Sequence, residues 1–314
     1  ISISGTNLLA NQFNNNALAD GLFIRTTGKL VLNNIAASGN GVNGIYYNNT
    51  ANTNTTSLNT IVANNNQFAG MYIVSKGQVT GYGIIANHNG AGINQAAVGM
   101  PFTFLGAASV YISNTSSTTG TAGVVISRSQ FNENLSTGLR VYSNGNITVN
   151  NVQGFGNRTA DPAPPSNLRI DGAYLQNTSS PFAVSIKVLS SLGSNRFDNN
   201  RDYGLHILAR QNITISKATA NGNGILDPAA VRSGMNLVVT APASVISFSC
   251  VGVTSNGLHG IWLEYRAVGG TGRLVLLNSY IGGNSVATPG QDIYIDPVYS
   301  SPTIIQSGAY CSGW

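Results

Sequence analysis

The sequence predicts an all-β solenoid, in which each turn of the chain stacks on the turn before it. Two observations lead to this prediction. Only 8% of the 314 residues are charged, whereas Gly and Asn are abundant, and both residue types disfavour helix interiors and suit turns. A short pattern of alternating apolar residues also recurs about every thirty residues, a spacing typical of repeat proteins.

The recurring pattern is a small residue, an apolar residue, a variable residue and a second apolar residue. Gly44-Ile45-Tyr46-Tyr47 and Gly204-Leu205-His206-Ile207 are representative copies. Alternation with a period of two residues indicates a strand that buries one face. Ten copies have as their variable residue Phe23, Tyr46, Tyr72, Tyr111, Arg140, Arg169, His206, Asn236, Trp262 and Tyr294.

Each copy is followed by a second alternating run and by a third, shorter run that leads into a cluster of Asn and Gly. Asn212-Ile213-Thr214-Ile215 and then Asn221-Gly222-Asn223-Gly224 illustrate this order. Three short strands per period, with no crossover helix between them, bury their apolar faces when successive coils stack. We therefore predict one parallel β-helix domain over residues 1–314, with about ten to eleven coils at the spacing of paired strands. Asn suits the turns, and stacked Asn side chains can hydrogen-bond from coil to coil.

These strand–turn–strand units resemble the right-handed parallel β-helix repeat family, which has a pectate-lyase-like solenoid fold. The resemblance covers essentially the whole chain and implies that the coil is right-handed. It leaves the function open, because the family includes polysaccharide lyases, glycosidases, epimerases, phage tailspikes, adhesins and surface proteins.

The variable residues of the repeat should point outward, between inward apolar neighbours. They form a candidate binding column for a glycan or a protein subunit, namely Tyr46, Tyr72, Tyr111, Arg140, Arg169, His206, Trp262 and Tyr294. Aromatic and Arg side chains are frequent in such contacts. The other interpretation is that neighbouring aromatic rings stabilise the sheet by packing across strands. Extra residues before three copies, at 93–108, 157–166 and 225–233, either rim a binding face or are tolerated insertions.

The acidic residues give little support to an enzyme. None of the ten Asp and Glu residues forms an Asp-Asp or Asp-x-Asp pair, whereas lyases of this fold need a calcium-binding acid cluster and glycosidases need paired carboxylates. The strongest lyase-like patch is Asp198, Asp202, His206 and Arg210, which is also an ordinary solvated edge. We assign no catalytic residue, and we expect no metal and no cofactor, because the three His and two Cys lack metal-ligand spacing.

Cys250 and Cys311 can form a disulfide only if the C-terminal tail folds back. Aligned repeats place them two coils apart, about 9.6 Å, which exceeds the normal reach of a disulfide. A disulfide and two free thiols both remain open.

Neither end of the solenoid has a recognisable capping helix. The chain opens with a strand-like segment containing Ile1 and Ile3, and a similar segment near its other end contains Ile304 and Ile305. Exposed strand edges favour further pairing, so we expect these residues to mediate end-to-end stacking of copies into a fibre. Caps supplied by neighbouring domains of a longer chain, or a short coil lid, are the alternatives.

The sequence as a whole favours a secreted, non-catalytic structural or adhesive protein at the cell surface, with a second copy of itself as partner. The alternative is a carbohydrate-binding β-helix that contacts polysaccharide through the aromatic and Arg column, and a third hypothesis is a polysaccharide lyase or hydrolase. A net charge of +5 without a basic cluster argues against nucleic acid. Apolar runs of only a few residues argue against insertion into a membrane.

Overall fold

The computed structural model describes residues 1–6, 10–91, 108–158, 169–191, 193–225, 232–266, 271–284, 291–299 and 301–311. These residues form no α-helix, and all their strand pairings are parallel. No helix in the described part of the chain has the length and apolar character that a membrane span requires. The predicted all-β parallel β-helix is confirmed.

The strands form two sheets that run along the whole solenoid. The fourteen-stranded sheet contains β1 (Ser2–Ser4), β2 (Asn11–Gln12), β4 (Leu30–Ala36), β6 (Thr56–Val62), β8 (Val79–Ile85), β10 (Val124–Gln130), β12 (Ile147–Gln153), β14 (Ile186–Leu189), β15 (Asn195–Arg196), β17 (Ile213–Thr219), β19 (Val245–Thr254), β21 (Arg273–Leu277), β22 (Tyr280–Gly282) and β24 (Thr303–Ser307). The ten-stranded sheet contains β3 (Leu22–Arg25), β5 (Ile45–Asn49), β7 (Met71–Ser75), β9 (Ala108–Asn114), β11 (Thr137–Ser143), β13 (Ala173–Gln176), β16 (Leu205–Ala209), β18 (Met235–Val239), β20 (Ile261–Tyr265) and β23 (Ile293–Ile295).

The long strands of the fourteen-stranded sheet bend at one residue with a left-handed backbone. Asn34 in β4 has φ 55°, Thr60 in β6 has φ 53° and Lys217 in β17 has φ 45°. Each of these bends divides its strand into two arms that lie on different sides of the coil. The predicted three strands per coil are therefore one strand of the ten-stranded sheet and the two arms of a bent strand. In three coils the arms are separate strands, namely β1 and β2, β14 and β15, and β21 and β22.

A second left-handed corner in each coil precedes an Asn side chain that bonds to the next coil. Each Asn donates its backbone N–H and its Nδ2–H to Oδ1 of the following Asn, over 2.8–3.3 Å. We call this row the Asn ladder; its members are Asn16, Asn40, Asn66, Asn89, Asn134, Asn157, Asn200, Asn223, Asn256 and Asn284. At its last rung, Asn284 Nδ2 donates to Asp292 Oδ1 over 3.1 Å. The predicted coil-to-coil bonding of Asn is confirmed.

The hydrophobic core fills the space between the two sheets. Inward side chains from successive rungs, such as Leu58, Ile126 and Val149, are fully buried or nearly so and belong to one continuous cluster. Each aliphatic side chain buried in this way contributes about 1.5–3 kcal/mol relative to its exposed state. The core therefore holds the outward columns of both sheets in fixed register.

Candidate functional site

The outward column of the ten-stranded sheet differs from the predicted column at one position. The pairing register joins Arg140 to Tyr174 and Tyr174 to His206, so Tyr174 occupies the position expected for Arg169. The other members are in register as expected, namely Phe23, Tyr46, Tyr72, Tyr111, Arg140, His206, Asn236, Trp262 and Tyr294.

The error arose because residues 167–170 mimic the repeat, whereas the strand itself starts at Ala173. Gly172 is the small residue of this copy. A Cβ there would lie 2.4 Å from the carbonyl oxygen of Gly154, closer than carbon and oxygen can approach, so only glycine fits. The segment Gly172-Ala173-Tyr174-Leu175 fits the repeat as well as residues 167–170 do. Gly172, the small residue at its first position, was the sequence signal that could have identified this segment as the true copy.

In the N-terminal half of the column, the aromatic rings stack face to face. The centroids of Phe23 and Tyr46 lie 4.9 Å apart, those of Tyr46 and Tyr72 lie 5.4 Å apart, and those of Tyr72 and Tyr111 lie 4.7 Å apart, with interplanar angles of 4–7°. These separations match the spacing of neighbouring strands. Because the inner rings present their faces to each other, those faces are unavailable to a sugar ring. This half favours the interpretation of stabilisation by packing across strands.

Further along, the column changes from a stack to a tilted arrangement. Tyr142 lies on the adjacent outward column and bridges Tyr111 and Tyr174, at 5.8 and 5.5 Å with interplanar angles near 50°. Tyr174 then meets the His206 ring edge-on at 4.8 Å. Burial, reinforced by the neighbouring Tyr111 and Tyr46, raises the pKa of Tyr72 to about 12. Burial also raises the pKa of Tyr174, so these phenols stay neutral at physiological pH.

A cluster of charged side chains lies around His206, and we call it the His206 cluster. Its members are Asp171, Asp202, His206, Arg140, Arg169, Arg201 and Arg232. The aspartates and His206 are almost entirely buried, whereas Arg169 is exposed. Arg232 Nε lies 3.6 Å from Asp202 Oδ1, and Arg201 lies 3.7 Å from Asp202 Oδ2. With four arginines and two aspartates, the cluster has an excess of positive charge.

Buried turns hold the two carboxylates in place. Asp202 Oδ2 accepts the backbone N–H of Ile170 over 2.7 Å, and Asp171 Oδ1 accepts the backbone N–H of Tyr203 over 3.2 Å. Burial, followed by the nearby negative charge of Asp171, raises the pKa of Asp202 to about 6. Burial lowers the pKa of His206, and its contact with Asp171 opposes that shift.

The sequence patch of Asp198, Asp202, His206 and Arg210 is divided in space. Asp202 and His206 belong to the His206 cluster. Asp198 instead accepts from Arg196 Nε over 2.8 Å and from the backbone of Asn221. The backbone N–H of Arg210 donates to Asn177 in the turn after β16. The sequence missed Asp171, which precedes its partners by more than thirty residues. In the described part of the chain, no group of three or more His, Cys, Asp or Glu side chains could hold a metal ion.

Unpaired polar atoms are concentrated beside this part of the column. Eight buried side-chain atoms of the described residues have no hydrogen-bond partner. Six of them lie in or just before β11, β13, β18 and β20, and we call these residues the polar strip: Ser136, Arg140, Asp171, Ser233, Asn236 and Trp262. The strip spans five rungs, about 19 Å. It contains both donors, such as Trp262 Nε1, and acceptors, such as Asn236 Oδ1.

Cys250 and Cys311 form a disulfide, with their Cα atoms 5.2 Å apart. The tail reaches Cys250 because it leaves the coil after Gly308, which has φ 83°. The Cys311 backbone N–H then donates to the carbonyl oxygen of Asn278, one coil back. The fold-back that the sequence required for pairing is therefore present.

The predicted assembly residues lie on the two end strands of the fourteen-stranded sheet or beside them. Ile3 in β1 packs partly against the core opposite Leu32, whereas Ile1 is exposed. Ile304 and Ile305 in β24 pair with Leu274 and Val275 and are exposed. Their role in assembly stays a prediction.

Comparisons of this chain with protein-family models, with curated proteins and with solved structures found no match. The parallel β-helix architecture is thus established by the structure, while membership of the pectate-lyase-like group stays a proposal.

Proposed function

We propose that the chain is an extracellular structural or adhesive rod of the right-handed, pectate-lyase-like β-helix group. The observation that carries this proposal is the Asn ladder, whose eight inner members are buried and bonded from coil to coil. The Asn ladder and the stacked aromatic rings join successive coils along the rod. Only 8% of the residues are charged. The Cys250–Cys311 disulfide supports a location outside the cell, because such bonds persist in oxidising compartments.

We further propose that the ends of the rod are contact surfaces. Most exposed large hydrophobic side chains of the described residues lie in the first coil or the last two, namely Ile1, Leu18, Phe23, Leu277, Tyr280, Val298, Ile304, Ile305 and Tyr310. A second copy of the chain is the partner we favour, and neighbouring domains of a longer chain are the alternative. The main path of the fourteen-stranded sheet has eleven rungs and the other sheet has ten. Copies joined through β24 and β1 therefore leave one rung open in the ten-stranded sheet.

Negative-stain electron microscopy over a range of protein concentrations tests this proposal. Eleven rungs predict an axial repeat of about 53 Å in a filament. Ile305→Lys should disperse the filaments, because an outward charge on an edge strand opposes further pairing. Val125→Lys places the same charge in the same outward column on an inner rung, and it should leave them intact. Single rods at all concentrations would contradict assembly of copies.

A second candidate function, carbohydrate binding, is favoured by the polar strip. Its unpaired atoms include donors and acceptors, and sugar hydroxyls can satisfy both once the side chains that cover these buried atoms move aside. The half of the column from Arg140 to Trp262 is then the contact region, rather than the stacked rings. Tryptophan fluorescence during titration with neutral and acidic glycans tests this, with Asn236→Ala expected to weaken binding and Tyr46→Phe expected to preserve it. Absence of any response would exclude the glycans tested as ligands.

A polysaccharide lyase or hydrolase is the third hypothesis, and Asp171, Asp202 and His206 are the groups it would use. Formation of unsaturated uronates from acidic polysaccharides, measured by absorbance with calcium present, tests the lyase. Release of reducing sugar ends tests the hydrolase. Loss of either activity in Asp202→Asn would support the corresponding reaction, and absence of both activities would contradict the hypothesis.

A further inference from the structure

His206 lies beside two groups of opposite charge, and both approach its Nδ1 atom. Arg169 Nη1 lies 3.2 Å from His206 Nδ1 and 3.5 Å from Nε2. Asp171 Oδ2 lies 3.4 Å from the same Nδ1 and has no hydrogen-bond partner. A neutral imidazole can accept a hydrogen bond from Arg169, whereas a protonated imidazole carries only donors. Protonation of His206 therefore removes its ability to accept a hydrogen bond from Arg169, while its Nδ1–H can donate to Asp171.

We propose that His206 is a proton-operated switch that holds Arg169 when the ring is neutral and binds Asp171 when the ring is protonated. The two partners differ in their freedom to move. Asp171 is fully buried, and the N–H of Tyr203 fixes its other oxygen. Arg169 is exposed, so its guanidinium can move into water when a protonated ring repels it. Acidification thus releases a cationic side chain at the surface of the rod.

The surroundings of His206 set the conditions under which the switch operates. The titratable and charged groups around it are Arg140 on β11, Tyr174 on β13, Arg169 and Asp171 before β13, Tyr203 before β16, and Asp202 with Arg201 and Arg232. Burial lowers the pKa of His206 from 6.5, so the ring is neutral at neutral pH. The pKa of Asp202 is raised to about 6, so Asp202 also takes up a proton as the pH falls below neutrality. Arg169 is released when His206 itself is protonated.

Nuclear magnetic resonance of the intact chain tests this switch directly. A pH titration of ¹⁵N-labelled histidine gives the midpoint for His206, assigned by its loss in His206→Gln and its retention in His259→Gln. The Nε–H signal of Arg169 should become mobile at that same midpoint, while the signal of the buried Arg140 should not. A His206 midpoint at or above 6.5, or an Arg169 signal that is unchanged through the titration, would overturn the proposal.

Two substitutions should move the His206 midpoint in opposite directions. Arg169→Gln removes the competing cation and should raise the midpoint, and Asp171→Asn removes the anion and should lower it, each by about one pH unit for a charge at this distance. In Asp171→Asn the release of Arg169 should move to the same lower pH as the His206 midpoint. Arg196→Gln is the matched control, because Arg196 pairs with Asp198 outside the His206 cluster. A shift in the same direction in both variants, or none in Arg169→Gln, would refute the switch.

Discussion

Replacing Asn66 with alanine removes one inner rung of the Asn ladder. The Asn66 side chain is fully buried. Its Oδ1 accepts the backbone N–H and the Nδ2–H of Asn40 over 3.0 and 2.9 Å. Its Nδ2 donates to Asn89 Oδ1 and to the carbonyl oxygen of Ala37 over 3.0 and 3.1 Å. The substitution therefore breaks four hydrogen bonds and leaves the backbone bond from Asn66 to Asn89 in place.

The expected cost follows from the groups that lose their partners. Alanine leaves two buried donors of Asn40 without an acceptor, and each such group costs about 1–3 kcal/mol. With two such donors, we expect the free energy of unfolding to fall by about 4 kcal/mol. Asn59→Ala is the matched control, because Asn59 lies in the same coil, is exposed and donates to Asn33 Oδ1 at the surface. A surface substitution of this kind should cost about 0.5 kcal/mol.

Urea unfolding followed by circular dichroism measures both changes, and hydrogen exchange shows where they act. Exchange in β4, β6 and β8 should accelerate in Asn66→Ala, because these strands lead into Asn40, Asn66 and Asn89, which the lost bonds join. Equal unfolding free energies for the two variants, within about 0.5 kcal/mol, would refute the claim that the ladder stabilises the rod.

Three further substitutions test other parts of the structure. Cys250→Ser combined with Cys311→Ser removes a crosslink between residues 61 positions apart, worth about 4 kcal/mol in the chain-entropy model; hydrogen exchange should accelerate in β21 and β24 but not in β8, and unchanged exchange would contradict a clamping role. Because Asp202 has a pKa of about 6 in the folded chain and an ordinary value of 3.8, the stability that its protonated form provides is complete below pH 3.8 and lost as the pH rises through 6. Asp202→Asn should remove this pH dependence, which is on the order of 3 kcal/mol. If the urea midpoints of the variant match those of the unsubstituted chain throughout pH 4 to 8, the raised pKa is contradicted. Tyr72→Ala removes a ring stacked on two neighbours and should cost about 3 kcal/mol in thermal or urea unfolding; exposed Tyr82 is the control, and an equal cost for Tyr82→Ala would show that stacking adds nothing.

The fold was predictable because its signals are local and repeated. Alternation with a period of two identifies each strand by itself. Because the pattern recurs in ten copies, a stacked solenoid is the arrangement that buries the apolar face of every copy. The Asn ladder was predictable for the same reason. Its rungs follow left-handed residues such as Asn65 and Gly222, and the sequence marks these corners with clusters of Asn and Gly.

The His206 cluster was not predictable, because it depends on exact register between distant segments. Two neighbouring segments, 167–170 and 172–175, fit the repeat, and only the close backbone contact at Gly172 selects the one that puts Tyr174 in the column. That choice also sets Asp171 beside His206. The pairing of Cys250 with Cys311 was left open because repeat alignment assumes a tail that continues the coil, whereas this tail turns back after Gly308.

The Asn ladder also has an electrical direction. From Asn16 to Asn284, each side-chain amide directs its N–H towards the C-terminal coil and its oxygen towards the N-terminal coil. An amide group has a dipole of about 3.5 D, and dipoles aligned head to tail add along their axis, as in an α-helix. The row therefore presents its positive pole at the C-terminal coil, where Asn284 meets the carboxylate of Asp292. Asp292 is thus an anion at the positive end of an aligned array of dipoles, like an acidic residue at the N-terminus of a helix.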